Sequence, residues 1–301
     1  MHASVLRYFT EVARSGSIRK AAQRLYVASS AVNRQILRLE DELGCELFDR
    51  LSTGMRLNAA GRLVLQHVDT TLNDFQLLRT ELDALRGERS GHIQLVAMDS
   101  LFNRILPDVV TEFGRDYPAV TTGLIAQSPS DIPTTVVSGQ ADIGIAFIHH
   151  PPPGVDVLFT ASFPMGVVMA PAHPLASHYA LSYEDCHDQP FLLSHLRWPI
   201  YSTLAPAFAE FWDGLQPVMV SNVSAVIKQA VMAGRGLAFF TRLGFLDEIT
   251  QGQVVWRPLA DPDINRMKVA LIVRNHHKPS HVEKAFLDVL VNYLRRVEST
   301  T

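Results

Sequence analysis

The chain is poor in cysteine and has no excess of glycine or proline: of 301 residues, 2 are Cys, 17 Gly and 17 Pro. Two cysteines cannot build a disulfide scaffold, and Gly and Pro at this level exclude collagen-like and low-complexity classes. Long apolar runs are also missing. The best stretches, near Val218 to Val223 and Gly236 to Phe240, fall well short of the ~18–20 residues a membrane span needs. Residues 1–16 interleave charges with apolar residues and offer no small-residue cleavage site, so they lack a secretory layout. The expectation is a cytoplasmic protein with no membrane partner. A large charge excess of one sign is absent too, with 27 Lys and Arg against 30 Asp and Glu.

The signatures of common enzymes are missing as well. There is no Gly-rich phosphate loop, no Gly-x-Ser-x-Gly elbow and no Cys-x-x-Cys. The His149/His150 and His276/His277 pairs are adjacent, so the two rings of each do not share one face of a regular element, and surface histidine is the better reading. Asp142, at a turn entering a strand, reads as a residue that bonds local backbone. No catalytic residue, metal ligand or cofactor is therefore expected.

What is present begins with an uneven charge distribution. Residues 1–62 hold 10 Lys and Arg and 6 Asp and Glu, whereas residues 91–301 hold 14 and 19. A small basic head is joined to a larger acidic body. In the head, Leu6, Phe9, Val12 and Ala13 recur at helical spacing, and Ser17 is placed to cap a second helix carrying Ala21, Ala22 and Leu25. After the link at residues 26–28, Val32, Ile36, Leu39 and Leu43 stripe a third helix. Two helices joined by so short a turn form a helix-turn-helix.

The second of these helices would enter a major groove, with small or forked polar residues near its start and cations further along. Ser29, Ser30, Asn33, Arg34 and Arg38 supply that series. Asn33 suits adenine, Arg34 suits guanine or phosphate, and Arg38 suits the backbone. Lys20, with Arg19, falls near a helix start where phosphates meet free N–H groups. The segment LFDRLSTGMRLN then reads as a two-stranded wing with Arg50 and Arg56 on its flanks.

From Ala59 to Leu85 an uninterrupted helix is expected, with Val64, Val68, Leu72, Phe75, Leu78, Leu82 and Leu85 forming one seam. At ~1.5 Å per residue it would be ~40 Å long, too long for the head alone to cover, which favours a partner helix. Beyond Gly91 strands alternate with helices, which implies a parallel sheet covered on both faces. Ligands of such sheets bind beyond the carboxyl ends of strands. Those positions hold Ser100 and Leu101, then Gln127 and Ser128, then Phe147, with Ser202, Thr203, Asn222 and Val223 contributed by the later part of the body. Hydroxyls and N–H groups at helix starts favour a carboxylate or phosphate on the ligand.

Several of these residues form a pattern. Leu6-x-x-Phe9-x-x-Val12-Ala13-x-x-Gly16-Ser17, then Ala21-Ala22-x-x-Leu25, then Ala31-Val32-x-x-Gln35-Ile36-x-x-Leu39-Glu40-x-x-Leu43-Gly44-x-x-Leu47-Phe48-x-Arg50 resembles the signature of LysR-type transcriptional regulators. The match continues through Leu57 and Gly61. In the body it runs through Leu106-Pro107, Tyr117-Pro118, Gly139-x-x-Asp142-Ile143-Gly144-Ile145, His173-Pro174-Leu175 and Gly234-x-Gly236-Leu237-Ala238.

The resemblance implies an α+β multidomain chain. It would have a winged helix-turn-helix at 1–58, a dimerising linker helix and hinge at 59–90, and a two-lobed α/β body like periplasmic binding proteins at 91–301. Lobe I would take 91–162 and 268–301, and lobe II 163–267. The implied partners are double-stranded promoter DNA, a small-molecule effector in the cleft, and further copies of the chain as a homodimer and homotetramer. Three positions depart from the family pattern. Ala28-Ser29 stands where Ser-Gln is usual, Asn33 where Ser is usual, and Thr241 where Pro is usual. The first two bear on operator preference and the third on the cleft wall.

Overall fold

The computed structural model describes residues 3–51, 54–85, 90–148, 150–194, 206–264 and 268–299. The elements run in order α1 (Ala3–Ser15), α2 (Ile18–Leu25), α3 (Ser29–Leu43), β1 (Phe48–Leu51), β2 (Gly54–Leu57), α4 (Ala59–Leu85), β3 (Ser90–Ala97), α5 (Ile105–Asp116), β4 (Ala119–Ala126), α6 (Ile132–Val137), β5 (Ile143–Ile148), β6 (Val155–Ala161), β7 (Met165–Met169), α7 (Tyr183–Cys186), β8 (Phe191–Leu193), α8 (Pro206–Gly214), β9 (Pro217–Val220), α9 (Ser224–Met232), β10 (Ala238–Thr241), α10 (Leu246–Thr250), β11 (Val255–Pro258), β12 (Lys268–Arg274) and α11 (His281–Ser299). The chain divides into two compact units, residues 1–86 with 138–140, and residues 87–137 with 141–301. Among the described residues no helix is long and apolar enough to cross a membrane.

In the first unit the apolar spacing of the sequence becomes a core. Leu6, Phe9 and Val12 of α1, Ala21 and Ala22 of α2, and Val32, Ile36 and Leu39 of α3 are buried together with Leu47, Phe48 and Val68. The two alanines let neighbouring helices approach closely. Ser17 caps α2 as expected, its hydroxyl accepting from the Lys20 N–H. Gly44 ends α3 in the left-handed conformation, with its N–H on the Asp41 and Glu40 carbonyls. Glu40 is buried; its carboxylate accepts the Leu47 N–H at 2.8 Å and lies 3.7 Å from Arg50. That carboxylate ties the end of α3 to the start of the wing. At the start of α4 a Cβ on Gly61 would lie 2.0 Å from the Leu47 carbonyl oxygen, so only glycine fits there.

α4 divides its seam in two. Val68 is fully buried, and Val64 and Leu72 pack on the head's own core. Phe75, Leu78 and Leu82 are exposed at 49%, 54% and 47%. The Leu85 side chain lies outside the described residues.

The second unit contains two sheets with one strand order. The first runs β4-β3-β5-β12-β6, with β3 parallel to β4 and β5, and β12 antiparallel to both β5 and β6. In the second, β7 is antiparallel to β10 and β11. β8 is parallel to β9 and is joined to β10 by a parallel bridge, Phe191 to Leu237. The extended order is therefore β9-β8-β10-β7-β11. In each sheet four strands share a direction and the fourth in order opposes them.

This corrects the expectation of a purely parallel sheet. The chain leaves the first sheet at the end of β6 and re-enters it as β12 from the same side, so β12 must run the other way. Around the second sheet Phe191, Phe208, Trp212 and Phe239 form a ring cluster, Phe239 stacked on Phe191 at 4.7 Å and edge-on to Phe208 at 5.4 Å.

Candidate nucleic-acid interface and ligand cavity

α3 presents one face to solvent. At ~100° per residue, Ser29, Ser30, Arg34, Leu37, Arg38 and Asp41 fall on one stripe, and all are exposed. Val32, Ile36 and Leu39 occupy the opposite stripe in the core. Asn33 lies on the flank, half-buried, its Oδ1 buried without a hydrogen-bond partner among the described residues. The turn into α3 places Tyr26 in the left-handed conformation, φ 56 and ψ 41, with its side chain 94% exposed. A non-glycine residue held there, at a position the family pattern does not mark, is a feature the sequence reading passes over.

The cations around this face differ in their engagement. Arg34, Arg38, Arg19 and Lys20 are exposed and make no ion pair among the described residues. Arg24 is held by Glu11 at 2.9 Å. In the wing, β1 and β2 pair antiparallel with Asp49 opposite Arg56, and the Arg56 guanidinium lies 3.4 Å from the Asp49 carboxylate. Arg50 is exposed but within reach of Glu40. Such exposed pairs are weak, ~0–1 kcal/mol, and a phosphate can displace them.

In the second unit a cavity of ≈ 520 Å³ opens where the carboxyl ends of both sheets' strands converge. Of the residues expected there, Ser100, Gln127, Ser128, Phe147, Asn222 and Val223 line it. Leu101 does not: it is fully buried and belongs to the core, because the turn that exposes Ser100 rotates its neighbour inward. Ser202 and Thr203 lie outside the described residues. The lining also includes Met98, Asp131, Met165, Ser194 and Phe240, which sequence spacing does not bring together. Thr241, where the family pattern has proline, lines it as well.

Hydrogen bonds clasp one end of this cavity. The Ser224 N–H, at the start of α9, donates to the Asp99 carboxylate at 2.5 Å. The Asn103 amide donates to the Ser224 hydroxyl and to the Gly244 carbonyl, and Arg104 pairs with Asp247. Residues 99–104 thus fasten the first sheet's loops to the second sheet's helices.

Elsewhere in this unit the titrating groups are structural. Asp142 accepts the Gln94 N–H at 2.7 Å, so it bonds a strand distant in sequence rather than its local turn. Burial pushes its carboxyl up to about 6, with the nearby Glu283 adding to the rise. His277 is not a surface histidine but sits half-buried, 3.2 Å from Glu283, whose carboxylate raises its pKa. Burial works to raise the Glu283 carboxyl, yet hydrogen bonds from His277 and Ser280 outweigh it and leave it lowered. The Cys186 thiol is pushed up to about 12 by burial, which makes it an inert core residue.

Comparison with known proteins agrees with both halves. Residues 4–62 match the bacterial regulatory helix-turn-helix protein, lysR family, and residues 86–295 match the LysR substrate binding domain. A probable RuBisCO transcriptional regulator of Emiliania huxleyi is 25% identical over 296 residues, 95% of this chain and 94% of that one. YeiE, an uncharacterized HTH-type transcriptional regulator of Escherichia coli, is 27% identical over 288 residues, 94% of each.

Among solved structures, a full-length OxyR variant from Pseudomonas aeruginosa shares the fold with a TM-score of 0.70 at 19% identity, covering 98% of this chain and 95% of that one. CbnR in complex with its target DNA shares it at 0.62 and 19% identity, covering 98% and 99%. The chain belongs to the LysR family: it is a DNA-binding transcriptional regulator with a helix-turn-helix head and an effector-binding domain, not an enzyme.

Proposed function

We propose that the protein is a cytoplasmic, ligand-responsive regulator that binds a dyad-like promoter site as a dimer of dimers. The observation that carries this reading is the face of α3, where Ser29, Ser30, Arg34 and Arg38 stand outward with no ion pair among the described residues. That stripe enters the major groove, Arg34 addressing a guanine edge or phosphate, while Asn33 must turn its buried Oδ1 outward from the flank to read adenine. Lys20 meets the phosphate backbone near the start of α2, and Arg50 and Arg56 meet it from the wing.

Residues 59–90 act as the dimerising linker. Exposed apolar residues at Phe75, Leu78 and Leu82 leave a stripe that a second copy of α4 covers. Lobe I comprises 91–162 with 268–301, and lobe II 163–267. The cavity between their strand ends is the effector site, where a bound ligand biases lobe closure and so the spacing of heads on bent DNA.

Fluorescence anisotropy on DNA from the protein's own promoter region tests the reading. Affinity falls steeply with salt as phosphate contacts release counterions. Binding that is absent, or indifferent to salt, overturns it. Sedimentation of Leu78→Asp tests the linker: the substitution reduces the assembly toward monomer, and an unchanged assembly removes α4 as the interface.

A further inference from the structure

We propose that the ligand of the ≈ 520 Å³ cavity is a cation, a small ammonium- or guanidinium-bearing molecule with an apolar body, and not an anion. The proposal rests on the reading of that cavity as the effector site and deepens it. Three observations carry it.

The first is charge. The described residues that line the cavity include two carboxylates, Asp99 and Asp131, and no Lys, Arg or His. The arginine of the adjoining clasp is neutralised, since Arg104 is held by Asp247 and Asp108. Among the described lining groups an anion meets two like charges, and a cation meets two opposite ones.

The second is the state of the helix starts. Among the described residues α9 is the one long helix beginning at the cavity, and its first N–H is already taken by the Asp99 carboxylate. Asp131 stands immediately before α6, and Ser130 donates to its carboxylate. The places at which serine hydroxyls and helix N–H groups would receive a carboxylate or phosphate therefore carry the protein's own carboxylates. Only one oxygen of Asp99 is engaged among the described residues, which leaves an acceptor for a ligand's N–H.

The third is the polar atoms left over. Thr241 is 4% exposed and precedes the turn at Arg242–Phe245 without a side-chain cap. Ser194 Oγ is buried without a hydrogen-bond partner among the described residues. Both residues line the cavity. Such hydroxyls accept hydrogen bonds as readily as they donate them, and an ammonium brings three donors and no acceptor. The remaining wall is apolar, with Met98, Met165, Val223 and the rings of Phe147 and Phe240, and aromatic rings attract cations at their faces. The ligand's charge faces Asp99 and Asp131, and its carbon body fills the space between the rings.

Isothermal titration calorimetry on the full-length protein tests this with probes matched in shape and opposite in charge: 2-phenylethylamine against 3-phenylpropionate, and 1,4-diaminobutane against succinate. Expected is binding of an amine at least 10-fold tighter than its carboxylate partner, weakened about 10-fold by Asp131→Asn and by Thr241→Val. Asp99→Asn, which keeps the acceptor for the Ser224 N–H but removes the negative charge at the α9 N-terminus, narrows or reverses the preference. Circular dichroism checks that it folds, and Asp131→Asn, on an exposed residue, carries the test if it does not. If a carboxylate binds the native protein more tightly and Thr241→Val weakens it, the cation is refuted while the cavity stands as the ligand site. If no probe binds, or if binding ignores all three substitutions, both the ligand class and the cavity assignment fall.

Discussion

The outer face of α3 and the cavity of the second unit, the two surfaces proposed to bind DNA and ligand, are built in opposite ways. The α3 face comes from ten consecutive residues, 29–38, and a single helical period sorts them into outward polar and inward apolar stripes. The cavity draws its walls from positions as far apart as Met98 and Thr241, brought together by two sheets that interleave along the chain. A polyanion such as DNA can be held by exposed cations on a rigid rod, and rods are specified locally. A small molecule must be surrounded, which takes the ends of many strands at once. The first surface is therefore robust to changes elsewhere in the chain, and the second depends on the whole body.

The sharpest way to break that contrast is to damage one unit and watch the other. Phe239→Ala empties the ring cluster at the second sheet and should destabilise the body by ~3–5 kcal/mol. Urea unfolding followed by tryptophan emission reads only this unit, because Trp198, Trp212 and Trp256 all lie in it. The helices of the head should keep their own transition. If both units lose stability together, the contrast fails.

Arg34→Ala should weaken specific DNA binding by ~1–3 kcal/mol and leave the calorimetric response of the cavity unchanged. Anisotropy on specific and scrambled duplexes separates loss of base readout from loss of charge. Asp142→Asn affects the body alone and in a pH-dependent way. The folded protein holds that proton more tightly than the unfolded chain does, since the carboxyl rises from 3.8 to about 6. The stabilising contribution of protonated Asp142 is thus complete below about pH 4 and lost as pH climbs through about 6. The amide, which keeps the acceptor for the Gln94 N–H, should gain ~1–3 kcal/mol over the native protein above pH 6 and nothing near pH 4.

Two smaller effects sharpen the picture of the head. Ser17→Ala removes the cap of α2 and should cost ~0.5–1 kcal/mol in the head's thermal unfolding, with no change in the tryptophan signal. Arg56→Ala breaks an exposed pair with Asp49 and should leave stability within error. The logarithmic salt slope of DNA binding should nevertheless fall by about one.

The degree to which each part can be read in advance follows the range of the interactions that form it. Ser17 as a cap, the three-helix core and the outward placement of Arg34 and Arg38 follow from spacings of three and four residues. The seam of α4 is legible as a stripe, but not its division, since whether Val68 or Leu78 finds a partner depends on where the head's core ends. β6 gives almost no signal: it alternates along an edge with Asp156, Leu158 and Thr160 exposed, so its pattern is that of a loop as much as of a strand. Leu101 misleads because it neighbours a lining residue, and a single step along a tight turn exchanges wall for core. His277 has no local sign of burial, its partner Glu283 being on α11.

Taken alone, the order of amino acids settles the local matters: which segments are helices, which faces are greasy, where the basic head ends, and the family to which that arrangement belongs. It could mark serines near strand ends and suggest an anionic ligand, because hydroxyls and helix starts are visible one at a time. Folding in three dimensions reverses β12 within its sheet, carries Asp99 onto the first N–H of α9 and places Thr241 in the wall of a cavity whose described lining includes two carboxylates. The physical cause is that electrostatics and burial act through space. The field in the cavity is set by groups as distant in the chain as the Asp99 carboxylate and the Ser224 N–H, and no short window of sequence contains both.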